Sequence, residues 1–338
     1  MCGIVAYVGN RRAYPILIKG LQRLEYRGYD SAGVGLIPED NNNIITYKQA
    51  GKVSDLLEYI ADQSTNGSIG IGHTRWATHG SPNQQNSHPH SSSDGKYSLI
   101  HNGIIENYSS LKKALEDKGY VFKSDTDSEV LMYLIEDVYK HAISSKDLQF
   151  EERTLFEAIR IALNEVVGAY AIVVLDQDKP EEFYVARRGS PLVIGIGNNE
   201  YFVASDASPI IEYTNKVIYL EDDEVALINK NEDVEIKTIN NKTKNPYIQK
   251  LEQTLESIEK GGYDHFMLKE IYEQPKSIID TLRGRIDPKT NDIILGGIKD
   301  HESTIAKADR IIIIACGTSW HAGLIGEYLI EDLARINV

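Results

Sequence analysis

The chain starts with Met1-Cys2-Gly3, and an apolar, β-branched run follows directly. Chain ends usually fray unless regular structure holds them in place. The run Ile4–Val8, closed by Gly9-Asn10, predicts a short buried strand that anchors the terminus in a sheet. We therefore expect a fold built around its own first strand, with Cys2 at the head of that strand.

Cys2 has two interpretations. If Met1 is removed, as the small residues Cys2 and Gly3 should permit, Cys2 carries both a thiol and a free α-amine. The ordinary pKa of an α-amine is about 7.7–8.0 and that of a thiol is about 8.5, so the amine can accept the thiol proton. It can later return a proton to a leaving amine, as in N-terminal nucleophiles. The alternative is an ordinary small buried cysteine.

Composition narrows the class of protein. With 338 residues, 41% of them hydrophobic, the chain can bury the core of one large domain plus part of another. The net charge of −14, without a block of lysine or arginine, argues against a nucleic-acid surface. The sequence has no signal-peptide pattern and no apolar run long enough to span a membrane. Its two cysteines, Cys2 and Cys316, make no disulfide framework and fit a reducing cytoplasm.

Hydrophobic periodicity predicts helices and short strands in blocks. Helices are expected over Ala13–Leu24, Val53–Ala61, Asn107–Lys118 and about Thr154–Val166. Thr126–Glu129 has the pattern of a capping box that opens a further helix. Short apolar runs predict strands early in the chain and over most of Ala169–Ile239. This arrangement indicates antiparallel sheets covered by helices, an α+β layered domain.

Polar motifs follow several of the predicted strands. Arg75, in the segment His73–Gly80, has the geometry to clamp a carboxylate with two hydrogen bonds. The Pro/Ser/Asn/Gln/His stretch up to about Asp94 has the composition of an irregular surface loop and is a candidate cover over a site. Asp127 either complements the helix dipole or holds a substrate ammonium group.

The pair Asn102-Gly103 also has two interpretations. Asn-Gly is the preferred pair for a two-residue hairpin turn. Alternatively, the Asn102 side-chain amide and the Gly103 backbone N–H form two converging donors, as an oxyanion hole requires. The dipeptide by itself favours the turn.

Histidines cluster in the same part of the chain. Five of the nine, His73, His79, His88, His90 and His101, invite a metal hypothesis. No carboxylate or cysteine ligand stands at a matching spacing. We therefore favour a hydrogen-bonded, solvent-facing cluster and expect no metal and no cofactor.

The last part of the chain changes in composition. The segment 240–246 is polar and marks a domain boundary, and Tyr247–Leu282 is expected to be largely helical. Ile311–Ala315 predicts a buried strand, Cys316–Ser319 a glycine turn with hydroxyls, and Trp320–Arg335 a helix. This is the start of an α/β unit.

Taken together and in order, the motifs resemble the glutamine–fructose-6-phosphate aminotransferase family. They are Cys2-Gly3-Ile4, Y-R-G-Y-D-S-A-G over Tyr26–Gly33, H-T-R-W-A-T-H-G over His73–Gly80, H-N-G-I-I-E-N over His101–Asn107, and C-G-T-S over Cys316–Ser319. The resemblance runs through the whole chain. It implies an Ntn-hydrolase glutamine amidotransferase domain of four αββα layers over residues 1–240. A helical linker over 241–300 and the truncated start of a sugar-isomerase (SIS) domain over 301–338 would follow.

The resemblance also implies roles for individual residues. Cys2 would be the nucleophile with its own α-amine as base, and Asn102 and Gly103 would form the oxyanion hole. Arg75 would bind the α-carboxylate of glutamine and Asp127 its α-ammonium group. Further substrate-binding residues would be Arg27, Trp76, Thr78 and His79, and Thr318 and Ser319 match residues near the sugar phosphate.

A cytoplasmic enzyme of amino-sugar synthesis is what the resemblance implies overall. It would take glutamine and, in the full-length protein, fructose 6-phosphate, as a homo-oligomer without nucleic-acid or membrane partners. The family's Schiff-base lysine and C-terminal tail have no counterpart here, so synthase activity is not expected from this chain alone.

Two alternatives stay open. The first is a glutaminase attached to another acceptor, as in amidophosphoribosyltransferase or asparagine synthetase, against which the Tyr26–Gly33 and Cys316–Ser319 motifs argue. The second is a catalytically silent sensor that binds an amino sugar or a partner chain. A retained Met1, or a blocked Cys2 amine, would favour the sensor.

Overall fold

The computed structural model describes residues 2–40, 43–77, 80–144, 154–251, 262–282, 285, 290, 293 and 301–338. The chain divides into two compact units, Met1–Glu259 and Lys260–Val338. The first unit continues past the polar segment 240–246, because two short strands beyond Asn241 pair with its sheets. One of them, Ile248–Lys250, lies where the sequence predicted helix. The assignment of the domains stays a prediction.

Two antiparallel sheets form the centre of the first unit. In the part of the chain that is described, the larger sheet has eight strands in the order β15-β11-β9-β10-β1-β4-β2-β3, and the smaller has seven in the order β14-β13-β12-β8-β7-β6-β5. The strands are β1 (Gly3–Val8), β2 (Ser31–Ile37), β3 (Ile45–Ala50), β4 (Ile69–Arg75), β5 (His90–Ser91), β6 (Tyr97–Ile105), β7 (Gly168–Asp176), β8 (Glu182–Arg188), β9 (Val193–Ile196), β10 (Tyr201–Ala204), β11 (Lys216–Tyr219), β12 (Glu224–Asn229), β13 (Glu235–Thr238), β14 (Thr243–Lys244) and β15 (Ile248–Lys250).

Helices cover the outer face of each sheet. The helices of the first unit are α1 (Ala13–Leu24), α2 (Val53–Ile60), α3 (Tyr108–Glu116), α4 (Asp127–Ser144) and α5 (Leu155–Asn164). Helices α1 and α2 pack on the larger sheet, and α3, α4 and α5 pack on the smaller one. A third apolar cluster lies between the two sheets. The first unit is therefore a four-layer αββα sandwich, as the family resemblance implied, and it agrees with the α+β layered domain that the sequence pattern predicted.

The second unit contains three described helices. They are α6 (Phe266–Leu282), α7 (Glu302–Ile305) and α8 (Thr318–Ala334). Thr318 and Ser319 open α8 directly after Gly317, which has a positive φ of 59°. The apolar run Ile311–Ala315, expected as a strand, has no regular secondary structure here.

Strand β1 lies near the middle of the larger sheet and is buried on both faces. Ile4, Ala6 and Val8 face the inter-sheet core, and Val5 and Tyr7 face α1. Alternate side chains of a strand point to opposite faces, so a continuous apolar run is what a doubly covered strand requires. Strands β4 and β10 pair with β1 on either side. The start of the chain is thereby anchored, as its apolar run predicted.

Helix starts and ends agree closely with the periodicity, but the cap of α4 differs from the expected capping box. Thr126 Oγ1 accepts from the backbone N–H of Glu129 at 3.3 Å, as predicted. The Glu129 carboxylate does not return to Thr126 and instead accepts from the backbone N–H groups of Lys123 and Ser124. Glu129 thus orders the chain before the helix.

Two sequence interpretations are wrong. Asn102-Gly103 does not turn the chain, because β6 continues through both residues in register with β7. The stretch before Asp94 is not wholly a surface loop, because residues 86–90 are buried.

Within the described residues, no helix is both long and apolar enough to cross a membrane.

Gly33 of β2 permits the buried segment 86–90 to approach the larger sheet closely. An added Cβ at Gly33 would lie 2.0 Å from the carbonyl oxygen of His88. A Cβ at Gly35, two residues along the same strand face, would come no closer than 3.2 Å to the Ile71 side chain. The absence of a Cβ at Gly33 therefore sets how near the segment around His88 lies to β2.

We expect Gly33→Ala to lower the free energy of unfolding by about 1–3 kcal/mol, since the backbone of the loop must move away. Gly35→Ala is the matched control and should cost less, because side-chain atoms can adjust. Urea titrations of both variants measure the difference. Equal losses would contradict the close approach at Gly33.

Candidate active site

Cys2 lies where the start of β1 meets the ends of its two neighbours. Gly3 pairs with Thr74 of β4, and Val5 pairs with Ala204 of β10. The Cys2 thiol accepts a hydrogen bond from the Trp76 backbone N–H at 3.2 Å. Burial raises the pKa of the Cys2 thiol, and the Trp76 N–H offsets part of that effect. The thiol is therefore predominantly protonated at neutral pH.

The carbonyl of Cys2 is held by two side chains. Arg27 Nε and Asn102 Nδ2 each donate to this oxygen at 3.2 Å. Arg27 also forms an ion pair with Asp206 at 2.9 Å. These contacts connect the chain start to the loop after α1 and, through Asn102, to the smaller sheet. The backbone at Cys2 is thus held by the segment that follows α1 and by the smaller sheet.

Asn102 and Gly103 lie in β6, across the inter-sheet space from Cys2. Gly103 has a φ of 137°, and a Cβ there would lie 2.0 Å from the Ala169 carbonyl oxygen. Only glycine fits that conformation beside the neighbouring strand. Asn102 Nδ2 donates to Ser205 Oγ at 3.0 Å besides its bond to Cys2. The positive φ at Gly103 therefore interrupts the regular strand conformation locally, although the pairing of β6 with β7 continues.

Two buried side chains of opposite charge, Arg75 and Asp127, come from elements associated with different sheets. Arg75, at the end of β4, is buried and donates to the backbone carbonyls of Gly80 and Ser81 at 3.2 and 3.3 Å. Asp127, the first residue of α4, is also buried, and its Oδ2 accepts from the Ile105 N–H at 2.8 Å. In the part of the chain that the structure describes, no lysine or arginine forms an ion pair with Asp127.

A small cavity joins these groups. Its volume is about 20 Å³, and its lining includes Cys2, Arg75, Trp76, Gly103 and Asp127. One water needs a cavity of at least about 10–15 Å³, so the site in this conformation has room for a water molecule. Of the residues that the sequence singled out, the structure places Cys2, Gly103, Arg75 and Asp127 around this one space. Asn102 does not line the cavity but contacts the Cys2 carbonyl.

Other predicted residues fall elsewhere. Thr78 and His79 lie outside the described residues. Thr318 and Ser319 belong to the second unit. Trp76, by contrast, follows β4 directly, lines the cavity and is 55% exposed.

Ser205 is a site residue that sequence reasoning missed. It follows β10 directly and is buried. Its Oγ accepts from the Ile4 backbone N–H at 2.8 Å as well as from Asn102. A polar Ser-Asp pair directly after an apolar strand was the available signal, and it is the same signal that drew attention to Arg75.

Comparison with known proteins identifies the class to which this arrangement belongs. A family model described as a glutamine amidotransferase domain matches residues 73–212. The glutamine–fructose-6-phosphate aminotransferase of Bacteroides thetaiotaomicron is 55% identical over all of this chain and 53% of its own length. That of Chlorobaculum tepidum is 51% identical over all of this chain and 54% of its own length. The chain contains a glutamine amidotransferase domain.

The amidotransferase domain is homologous to these aminotransferases, and the chain spans about half of their length. Among solved structures, the glutamine phosphoribosylpyrophosphate amidotransferase of B. subtilis superimposes with a TM-score of 0.58 at 27% identity. That match covers 70% of this chain and 49% of the B. subtilis chain. The fold is that of the Ntn-hydrolase amidotransferases.

Four of the clustered histidines lie in this amidotransferase domain as a buried group. His73, His88, His90 and His101 are each at most 4% exposed, so the prediction of a solvent-facing cluster is wrong. The His73 and His88 rings lie 4.0 Å apart, and His90 contacts His88 edge-on. In the described residues, no group of three or more His, Cys, Asp or Glu side chains is arranged to hold a metal ion.

Burial keeps three of these rings, those of His73, His88 and His90, neutral. It lowers the pKa of His73 to about 3 and the pKa values of His88 and His90 well below the ordinary value. The unfolded chain returns each ring to an ordinary pKa of about 6.5. Below that pH the unfolded chain binds more protons, so stability falls as the pH falls. Asp176 acts in the opposite direction, because burial raises its pKa to about 6.

We expect the free energy of unfolding to decrease from pH 7 to pH 5, with each histidine contributing about 1.4 kcal/mol per pH unit well below 6.5. Asp176→Asn should make the decrease steeper, because it removes the opposing group. Urea titrations at several pH values test both statements. Constant stability over this range would contradict neutral burial of the histidines.

Proposed function

We propose that the amidotransferase domain hydrolyses glutamine to glutamate and ammonia through a γ-glutamyl thioester on Cys2. The observation that carries the proposal is the cavity that Cys2 shares with Arg75, Gly103 and Asp127. A nucleophile, a donor for developing negative charge and two opposite charges match the reacting amide and the two charged ends of glutamine. The homology to glutamine amidotransferases supports the same reaction.

The first step needs a base, because the buried thiol of Cys2 is protonated at neutral pH. Removal of Met1 supplies one, the α-amine of Cys2 itself. The amine accepts the thiol proton as sulfur attacks the amide carbon, and that proton then goes to the departing nitrogen, which leaves as ammonia. Water attacks the thioester next, which releases glutamate and restores the thiol.

The tetrahedral intermediate carries its negative charge on the former carbonyl oxygen. Asn102 Nδ2 and the Gly103 backbone N–H are the proposed donors. Both Nδ2 hydrogens have partners before the reaction, the Cys2 carbonyl at 3.2 Å and Ser205 at 3.0 Å. The longer bond, to the Cys2 carbonyl, is the one that the oxyanion replaces.

Arg75 and Asp127 are the proposed partners of the α-carboxylate and α-ammonium groups. A buried carboxylate without a positive partner is costly, and a substrate ammonium group supplies that partner at Asp127. Arg75 donates to neutral carbonyls at 3.2–3.3 Å, longer than charge-assisted bonds of about 2.7–2.9 Å, so a carboxylate is the stronger acceptor. Glutamine is much larger than the cavity of about 20 Å³, so its binding requires these side chains to move.

For a protein of the relatives' full length, we propose fructose 6-phosphate as the acceptor of the ammonia, giving glucosamine 6-phosphate. The names and the 51–55% identity of the relatives support this acceptor. Arg27, Trp76, Thr78 and His79 would assist glutamine binding, and Thr318 and Ser319 would contribute to the phosphate site of a sugar-isomerase domain. A cytoplasmic homo-oligomer is part of the same proposal.

Cys2→Ala should abolish glutamate release from glutamine, because no other group replaces the nucleophile. Cys316→Ala is the matched control, since Cys316 is the other cysteine and is exposed in the second unit. It should leave the rate unchanged. An enzyme-coupled glutamate assay, with intact mass to establish that Met1 is removed, makes the measurement. Activity retained by Cys2→Ala would refute the thioester.

Asp127→Asn should raise the KM for glutamine by about 10–100-fold, the loss of one charge-assisted contact, and lower kcat less. The asparagine still accepts from the Ile105 N–H, so the start of α4 stays in place. Glutaramate, which lacks the α-ammonium group, is the control substrate and should be insensitive to the change. An unchanged KM for glutamine would exclude this role of Asp127.

A further inference from the structure

His73 lies directly behind the Asn102 amide, on the side away from Cys2. It belongs to β4, paired with Ile4 of β1, and is 1% exposed. His73 Nε2 is 2.9 Å from Asn102 Oδ1 and 3.0 Å from the carbonyl oxygen of His101. No role in the reaction follows from its sequence position, yet it contacts the one side chain proposed to stabilise the oxyanion.

The backbone carbonyl determines which tautomer His73 adopts. A carbonyl oxygen only accepts, so Nε2 must carry the hydrogen that it shares with the two oxygens. Burial keeps the ring neutral, so Nδ1 carries none. Among the described residues Nδ1 has no hydrogen-bond partner. His73 is therefore a fixed donor that faces Asn102.

A fixed donor at His73 determines the orientation of the Asn102 amide. The amide must present Oδ1 to His73 and therefore Nδ2 to Cys2 and Ser205. Ser205 cannot impose this orientation, because a hydroxyl both donates and accepts. The Cys2 carbonyl favours it before the reaction, but that bond is the one that the oxyanion replaces. Once the oxyanion has replaced that bond, His73 is the contact that the structure shows at Asn102 Oδ1.

We propose that His73 is a positioning residue of the glutaminase reaction, holding the Asn102 amide with its NH₂ group toward the oxyanion. This inference rests on the proposed function of Asn102. Without the donor, the amide can rotate by half a turn and present Oδ1 to a negative oxygen, which opposes the reaction. The contribution is made in the transition state, so it belongs to kcat and leaves the KM for glutamine nearly unchanged.

Two amide replacements separate this role from general packing. In His73→Gln the side-chain nitrogen can occupy the place of Nε2, whereas in His73→Asn it is one methylene short and reaches only the place of Nδ1. We expect His73→Asn to lower kcat by about 10–100-fold, less than the 10²–10³-fold typical of removing an oxyanion donor, and His73→Gln to retain most of the rate. Equal losses in the two variants would overturn the proposal.

A double-mutant cycle with Asn102→Ala tests whether His73 acts through Asn102. Adding His73→Asn to Asn102→Ala should cause no further loss of kcat, because the group that His73 orients is gone. A further loss of the same factor as in the single variant would refute positioning. If the parent chain and Cys2→Ala are equally inactive, the proposed function itself has failed.

The tautomer of His73 provides a readout that needs no activity. A long-range ¹H–¹⁵N spectrum of the unmodified chain should show the Nε2–H form of His73, unchanged between pH 5 and 8. A ring protonated at Nδ1, or one that titrates in this range, would overturn the inference even in an inactive protein.

Discussion

The structure depends on β1 being paired on both sides inside the larger sheet. Because β1 is antiparallel to β4 and β10, the start of β1 lies beside the ends of both neighbours. The ends of those strands carry Arg75 and Ser205, and Asn102 of the smaller sheet lies across from them. The site is thus a product of strand order and sheet stacking. Breaking the pairing of β1 would separate Cys2 from Arg75 and Ser205.

Stacking two sheets over a polar site favours a hydrogen-bond partner for each buried polar group, because an unsatisfied one costs about 1–3 kcal/mol. Asn102 is paired at both ends of its amide, and Ser205 accepts two hydrogen bonds. His73 and His88 avoid the cost of a buried charge by staying neutral. Asp127, like Glu129, Asp176 and Glu224, is a buried carboxylate that forms no ion pair in the described part of the chain, and its contacts are a backbone N–H and a hydroxyl. Of these four carboxylates, Asp127 is the one that lines the cavity with Cys2 and Arg75, where the proposed substrate ammonium group would bind.

The sequence predicted most of the fold because the signals were local. The periodicity over Ala13–Leu24 gave the first helix, and the apolar run Ile4–Val8 gave the central strand. Asn102-Gly103 misled because a short-range turn signal cannot show that a neighbouring strand carries the chain onward. The burial of His88 was not predictable either, since it depends on the missing Cβ of Gly33, about 55 residues earlier in the chain. Contacts between distant segments, rather than composition, decided these points.

The proposed recognition of an amino acid by this site would draw on both sheets and the helices that cover them. Arg75 is carried by the larger sheet, and Asp127 by the helix that covers the smaller one. The separation of the two charges is therefore set by how the sheets stack, through the apolar cluster between them. Packing within protein interiors is dense, so a change of one methylene there shifts the layers measurably. The inter-sheet core, which touches no substrate, consequently helps to determine which ligand length fits between the two charges.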